Sequence, residues 1–464
     1  MTVLRLRADA ATRRRPDGRV LLGGSPFKVL RLSETAARLV SGWFDGEPVS
    51  DRPSHRKLAA RLVRAGIAHP AYETAALSAQ HVTAVVPVRD HAEALTTLLP
   101  ALEELANVIV VDDGSRVPVT AATLRHDSPR GPAAARNSGW RLATTGLVAF
   151  LDADVTPEPG WLQPLLVHFE DPEVVAVAPR VRSTPGPSAL ERYERSRSSL
   201  DLGGAAAPVR PGSRVGYVPS AALVVRTSAL RDHGGFDERL RFGEDVDLVW
   251  RFGSSGRQVR YEPASVVNHA PRARWSAWAR QRFEYGTSAA PLALRHGAAV
   301  APVKVSMWSA LSWAAVACGR PLIGVGVAVT TAALLPRKLG KVGVPVTESL
   351  RLALLGHLGA GRLLADAVTR PWSPVSLPVL ATTRRGRLVL AAAFGRHVWD
   401  WYRERPPVRL PQWVAARILD DAAYGAGVWS GAIRYRTATP LMPDLTDWPG
   451  RDGIDTGGTG ERPA

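Results

Sequence analysis

A rhythm of short apolar runs, two of them ending in paired carboxylates, constrains what this 464-residue chain can fold into more than any other feature. Val82-Thr83-Ala84-Val85-Val86-Pro87-Val88 is apolar at nearly every position, the pattern of a parallel strand covered by helices on both faces. The run 108–111 leads into Asp112-Asp113-Gly114-Ser115, and the run 147–151 leads into Asp152-Ala153-Asp154. Helical patterns separate the runs. One spans 91–105, with Leu95, Leu98, Leu99, Leu102 and Leu105 on one face, and another spans 131–145, with Pro132 in its first turn. Such alternation specifies an α/β, doubly wound sheet, whose ligands bind outside the carboxyl ends of the strands. Both acidic pairs are expected at those ends.

Carboxylates this close repel one another unless a cation or hydrogen-bond donors compensate them. Asp152 and Asp154 have the spacing to hold a hard divalent ion that keeps water ligands and takes diphosphate oxygens. Asp112 and Asp113 can accept from a nucleobase N–H or from ribose hydroxyls while Gly114 turns the chain away; a plain capped turn is the competing reading. Glu244-Asp245 follows Phe242-Gly243 and opens a helical run, where a carboxylate should stay ionised and suit a general base, or merely complement the helix dipole. The turn Gly234-Gly235-Phe236-Asp237-Glu238 would position that helix. His269 suits a third metal ligand as well as it suits a structural histidine. Arg136, Arg280 and Arg282 could neutralise a departing diphosphate, although arginine is plentiful throughout.

Lys and Arg number 59 against 42 Asp and Glu, a net charge of +17 that by itself invites an anionic partner. No nucleic-acid module and no basic run interleaved with aromatics accompanies it, so nucleic acid is not expected as a partner. One cysteine, Cys318, excludes an internal disulfide and a cysteine-based zinc site, which fits a reducing cytoplasmic compartment. The arginine-dotted stretch 1–19 has no apolar core of the secretory kind.

The flanks have a different texture. Segment 1–79 reads as strand, turn, strand over 18–32, then a helix capped by Ser33, a second helix over 54–65 ending at Gly66, and a short wing strand from Ile67. Segment 291–446 is Ala-rich and helical. Its uncharged runs 305–318 and 322–335 are each shorter than the roughly 20 residues of a spanning helix. Trp308, Trp313, Trp399, Trp401 and Tyr402 suit a bilayer interface and suit packing on the catalytic domain equally well. The tail 447–464 has a disordered composition.

Taken in order, Val85-Val86-Pro87, Asp112-Asp113-Gly114-Ser115, Ala135-Arg136-Asn137-Ser138-Gly139, Asp152-Ala153-Asp154, Gly234-Gly235-Phe236-Asp237, Glu244-Asp245 and His269 resemble the family 2 inverting glycosyltransferases of GT-A fold over 81–286. The resemblance implies a nucleotide-sugar donor, with Pro87, Asp112 and Asp113 on the nucleoside and Arg136 on the nucleotide. It further implies Mg²⁺ or Mn²⁺ on Asp152, Asp154 and His269, Arg282 near the donor, and Asp245, beside Glu244, as the base. Arg280-Gln281-Arg282-Phe283 stands where processive synthases carry Gln-x-x-Arg-Trp, which argues against processive extrusion.

Segment 1–79 resembles PqqD-like peptide-recognition domains, giving a small winged-helix-like α+β unit before the 80–290 transferase domain. That pairing resembles the mycofactocin-system glycosyltransferases. It implies transfer of glucose from UDP-glucose onto the peptide-derived cofactor mycofactocin or its precursor peptide, with stepwise β-linked growth. Two other readings stand beside it. One is a transferase on the cytoplasmic face of the membrane acting on a lipid or cell-wall glycan. The other is a peptide-binding module on an inactive scaffold.

Overall fold

The computed structural model describes residues 3–15, 17–72 and 75–446; the expected disordered tail 447–464 lies outside the described residues. The N-terminal unit begins with β1 (Leu4–Ala8) and β2 (Arg13–Arg14), followed by the hairpin of β3 (Val20–Gly23) and β4 (Lys28–Arg31). Ser33 caps the helix Glu34–Phe44 by accepting from the amide of Ala36, as its sequence position predicts. The helix Pro53–Arg64 follows, and β5 (Ala68–Tyr72) pairs antiparallel with β1, a partner the sequence reading missed. Leu21, Val40, Trp43, Leu62 and Ile67 form the core of this unit.

The central sheet comprises β6 (Val82–Val88), β7 (Asn107–Asp112), β8 (Leu124–Arg125), β9 (Leu147–Leu151), β10 (Val155–Pro157), β11 (Val174–Ser183), β12 (Ala207–Pro208), β13 (Ala222–Arg226) and β14 (Gln258–His269). Its order is β10-β14-β11-β13-β9-β6-β7-β8, with β12 pairing with β14 at Arg260 and Tyr261, on the edge it shares with β10. β6, β7 and β9 are parallel, as their apolar runs predict, and the short β8, which no apolar run announces, joins them in parallel. β13 runs antiparallel to both β9 and β11, so the sheet is mixed. Val82, Val86, Val110 and Leu151 pack on one face, and Val85, Ile109, Phe150 and Phe252 on the other.

Three helical expectations need correction. The 91–105 pattern forms short turns of 3-10 and α-helix over Ala92–Ala94, Leu95–Leu98 and Leu99–Leu102, because Pro100 supplies no amide for a continuous ladder. The next helix is Pro132–Trp140 and stops short of Thr145, whose hydroxyl bonds Thr83 at 2.7 Å and the carbonyl of Leu147 at 2.8 Å. Conversely, the apolar run from 322 is longer than expected: the helix Pro321–Gly340 has 20 residues and continues through Pro336. Proline costs one internal hydrogen bond there, while Arg337 and Lys338 fall in the last turn, where cations complement the helix dipole. By length and composition this helix is long and apolar enough to cross a membrane, and only 6% of its apolar stretch is buried.

Segments far apart in sequence are pinned together. Asp9 accepts from His69 Nε2 and from Arg214, both at 2.8 Å, and the fully buried Arg260 lies 3.1 Å from His69 Nδ1. Val344, just after the long apolar helix, packs on Val20 and Leu22 of the hairpin. In the helical region, Gly286 and Gly427 let the helices Trp275–Thr287 and Leu410–Arg434 meet backbone to backbone; a Cβ at Gly286 would stand 2.2 Å from the carbonyl of Tyr424.

Candidate active site

Strand ends bring the predicted carboxylates together. β9 delivers Asp152, whose amide donates to the carbonyl of Ala221 at 3.0 Å, just before β13 begins. One residue back, the amide of Ser220 donates to Asp245 Oδ2 at 3.1 Å. The segment entering β13 therefore ties Asp245 to the Asp152 strand end, although the two are 93 positions apart by subtraction of their numbers. His269 arrives by strand register. Val155 of β10 faces His269 of β14, which places Nε2 3.4 Å from Asp154 Oδ1.

Ligand atoms of Asp152, Asp154 and His269 all lie within 4.8 Å of one another. Two carboxylates and one imidazole form a donor set suited to a hard or borderline divalent ion with positions left for water and phosphate oxygens. The two aspartates are about 30% exposed at the side chain and His269 is 11% exposed, so the cluster opens to a cleft. The donor set thus fits the expected metal.

Arg136 occupies the centre of the charge arrangement. Its guanidinium donates from Nη2 to Asp152 Oδ1 at 2.7 Å and from Nη1 to Glu244 Oε1 at 2.8 Å, while its Nε is buried without a partner. The flanking carboxylates hold its pKa above the ordinary range despite burial.

Glu244 and Asp245 open the helix Glu244–Ser254 as predicted, after Gly243 at φ +78°. A side chain at Gly243 would also crowd Leu292 and Ser288 at 3.0 Å. The helix N-terminus does not by itself set how these carboxylates titrate. Burial, with the charge of Asp245 adding to it, pushes Glu244 up to about 7. Burial also raises Asp245, against the amides of Ser220 and Val246 and the charge of Arg136. Desolvation outweighs the helix N-terminus because the dipole is worth at most about 2 kcal/mol, while loss of water disfavours the charged form more.

The structure gives Asp112 and Asp113 a different local task from direct exposure to a ligand. Asp112 is fully buried; it accepts from the amides of Ser115 at 2.9 Å and Val119 at 3.2 Å, and from Arg125. These donors lower its pKa against the opposing effect of burial. Asp113 accepts from His126 Nδ1 and from the amides of Arg130 and Gly131, each at 2.8 Å. His126 continues to Ser138 Oγ at 2.9 Å. This Asp–His–Ser chain has the order of a hydrolase triad, but it is spent in fastening the loop 114–131 to the helix Pro132–Trp140. The pair thus shapes the loop at the ends of β6 and β7, where Pro87 lies opposite Val111 in register.

Arg282 is not brought to the acidic cleft. It is 2% exposed and committed to Glu194, Ser199 and, at 3.7 Å, Asp420, in an ionic core joining the transferase helices to the helix Leu410–Arg434. Arg280 is exposed and pairs with Glu284 one helical turn on, at 3.1 Å. Ser220, Arg125 and His126 escaped the sequence reading because single polar residues in loops carry no pattern. Asn137, quoted only as part of a motif, saturates its amide: Oδ1 accepts from Phe236 and Trp140, and Nδ2 donates to Phe236 and Glu238.

Residues 83–233 match the family model "Glycosyl transferase family 2". The chain is similar to the "Pre-mycofactocin glycosyltransferase" of Mycobacterium tuberculosis, 41% identical over 463 residues, 95% of this chain and 97% of that protein. It is also similar to the succinoglycan biosynthesis protein ExoU of Rhizobium meliloti, 30% identical over 34% of this chain and 51% of that protein. Among solved structures, a Pyrobaculum calidifontis mannosyltransferase in complex with GDP-Man and Mn²⁺ is 18% identical, with a TM-score of 0.38 over 73% of this chain and 86% of that one.

Proposed function

From the premise that this chain belongs to the pre-mycofactocin glycosyltransferases of glycosyl transferase family 2, with a GT-A fold, we propose that it is an inverting hexosyltransferase. Its donor is UDP-glucose and its acceptor is a hydroxyl of the peptide-derived mycofactocin precursor, extended stepwise in β linkage. The observation that carries this reading is the convergence of Asp152, Asp154 and His269 with Asp245 on either side of the strand entry 220–222, with Arg136 between Asp152 and Glu244.

Asp152, Asp154 and His269 would hold Mg²⁺ or Mn²⁺, which when bound supplies positive charge against the donor diphosphate. Asp245 takes the proton of the acceptor hydroxyl as its oxygen attacks the anomeric carbon. The new C–O bond forms on the face opposite the departing diphosphate, whose bond to the sugar breaks, so the anomeric configuration inverts. A base whose pKa is raised by burial is better matched to this task near neutral pH than an ordinary carboxylate. Arg136 holds a fixed cation beside the leaving group, and Glu244, its second partner, keeps the guanidinium in place. The loop fastened by Asp112 and Asp113 forms the nucleoside side of the cleft, with Pro87 at its base.

Mass spectrometry of products formed from UDP-glucose and the mycofactocin precursor tests the reading. Mass increments of one hexose, with β linkage by NMR, are expected; donor turnover with no hexose on that acceptor would overturn the acceptor assignment. The poorly covered apolar helix Pro321–Gly340 also supports work at the cytoplasmic face of a membrane. A lipid acceptor, the second reading, predicts hexose on extracted lipid instead.

A further inference from the structure

Away from the acidic cleft, a cavity of about 870 Å³ opens where the N-terminal unit meets the transferase domain. The end of the helix Pro53–Arg64, β12 and the residues after it, the outer side of the helix Glu244–Ser254 and the turn 256–259 supply its walls. Arg64, Arg210, Arg251, Arg257 and Arg295 line it against one carboxylate, Asp247. That carboxylate is already spent: it accepts from Arg251 Nε at 2.8 Å and His296 Nε2 at 3.0 Å, and Arg295 lies 3.3 Å away. Arg251 also donates to the carbonyls of His233 and Gly235, and Arg295 pairs with Asp237.

The other three arginines are undercompensated. Among the described residues no carboxylate pairs with Arg64 or Arg210. Arg210, half-buried, donates only to the carbonyl of Ser25, from Nε at 3.1 Å and Nη2 at 2.6 Å. Burial depresses its pKa, a penalty that an anion in the cavity would offset. Arg257 comes no nearer than 3.6 Å to Glu173, with both side chains more than 40% exposed. Beside the polar Ser254, Gln258 and His296, the lining has an apolar stretch of Pro208, Val209, Pro211 and Trp250, whose indole N–H is satisfied by the carbonyl of Gly216 at 2.7 Å.

We propose that this cavity binds a segment of acidic peptide, its Asp or Glu carboxylates taken by Arg64, Arg210 and Arg257 and its aliphatic parts lying on Pro208, Pro211 and Trp250. Guanidinium groups match carboxylates in planar, two-point fashion, and the proline and tryptophan surface gives the chain between those carboxylates something to cover. The space is far larger than a phosphate group fills. This deepens the reading of a peptide-derived acceptor, on which it rests, by giving the peptide a docking place separate from the acidic cleft.

Fluorescence anisotropy of labelled hexaglutamate with the full chain tests it, with hexaglutamine and tripolyphosphate as comparisons and donor hydrolysis followed separately. Saturable hexaglutamate binding that weakens with salt is expected. Arg64→Glu and Arg257→Glu should each weaken it about tenfold or more, the scale of a lost charge-assisted hydrogen bond. Arg38→Glu, an exposed charge outside the cavity, should leave it unchanged, and donor hydrolysis should persist in all three. Equal affinity in the Arg64→Glu/Arg257→Glu double variant would overturn the proposal. So would tripolyphosphate binding in the absence of hexaglutamate binding. Binding is read without donor or transfer, so a failure of the hexosyltransferase reading would show in the hydrolysis and product assays and leave this one intact.

Discussion

The guanidinium of Arg136 links two carboxylates that are 92 positions apart, Asp152 and Glu244, and so couples the Asp152–Asp154–His269 cluster to the helix Glu244–Ser254. On the proposed mechanism, Asp245 is the base on which transfer depends. Asp245→Asn should cut kcat by roughly 10²–10⁴-fold, the usual worth of a general base, while nucleotide binding by calorimetry stays near that of the parent. Unchanged turnover would remove Asp245 from the mechanism. Because burial raises the Asp245 pKa, the acid limb of the kcat/KM profile should lie above the ordinary aspartate value of about 3.9. Glu244 makes a separate prediction about stability. Its folded pKa of about 7 exceeds the ordinary 4.5, so the folded state binds the proton more tightly than the unfolded one. Stability of the metal-free protein should therefore fall as pH rises from 4.5 to about 7. Glu244→Gln should flatten that slope in denaturant melts, and an unchanged slope would place the titration elsewhere.

At the scale of elements, the turn before the helix Glu244–Ser254 is held by close packing. Gly235 sits at φ +71°, and a Cβ there would stand 2.4 Å from Asn137 Oδ1 and 2.7 Å from the Trp140 indole nitrogen. Gly235→Ala should cost about 1–3 kcal/mol in urea unfolding, through backbone strain and disturbed Asn137 hydrogen bonds. A loss within experimental error would mean that the turn can relax. The glycine pair was legible in the sequence as a packed turn; its partner was not, since Asn137 lies 98 positions away by subtraction and only the fold makes them neighbours. Strands were legible for a physical reason: burial on both faces demands apolar residues at nearly every position, as in Val82–Val88 and Leu147–Leu151. Helix lengths were less so: Pro100 falls among short broken turns, whereas the helix Pro321–Gly340 continues through Pro336.

At the scale of the molecule, the apolar surface of the C-terminal helices remains largely uncovered. Leu322 is 87% exposed, and Val325, Val329, Leu354, Leu355 and Leu358 are all more than half exposed. Arg337, Lys338 and Lys341 border this surface, an arrangement suited to anionic lipid. The protein should cosediment with anionic vesicles and resist a salt wash. Release by carbonate would indicate surface attachment, retention would indicate insertion, and recovery in the supernatant without either wash would overturn the membrane assignment. The N-terminal unit is tied to the rest by the Asp9–His69–Arg260 contacts and by Val344 on the β3–β4 hairpin, so it is no freely tethered module.

Sequence by itself determined the parallel strands, the carboxylates at their ends and the helix that begins at Glu244, because burial and helix-end chemistry are local demands on residue type. Tertiary structure decided which of those groups meet. Strand register set His269 beside Asp154, the entry to β13 drew Asp245 towards Asp152, and Arg282 went into an ionic core instead of the cleft. It also raised the pKa of Glu244 and Asp245, since desolvation depends on what surrounds a carboxylate, and those surroundings come from parts of the chain that lie far apart in sequence.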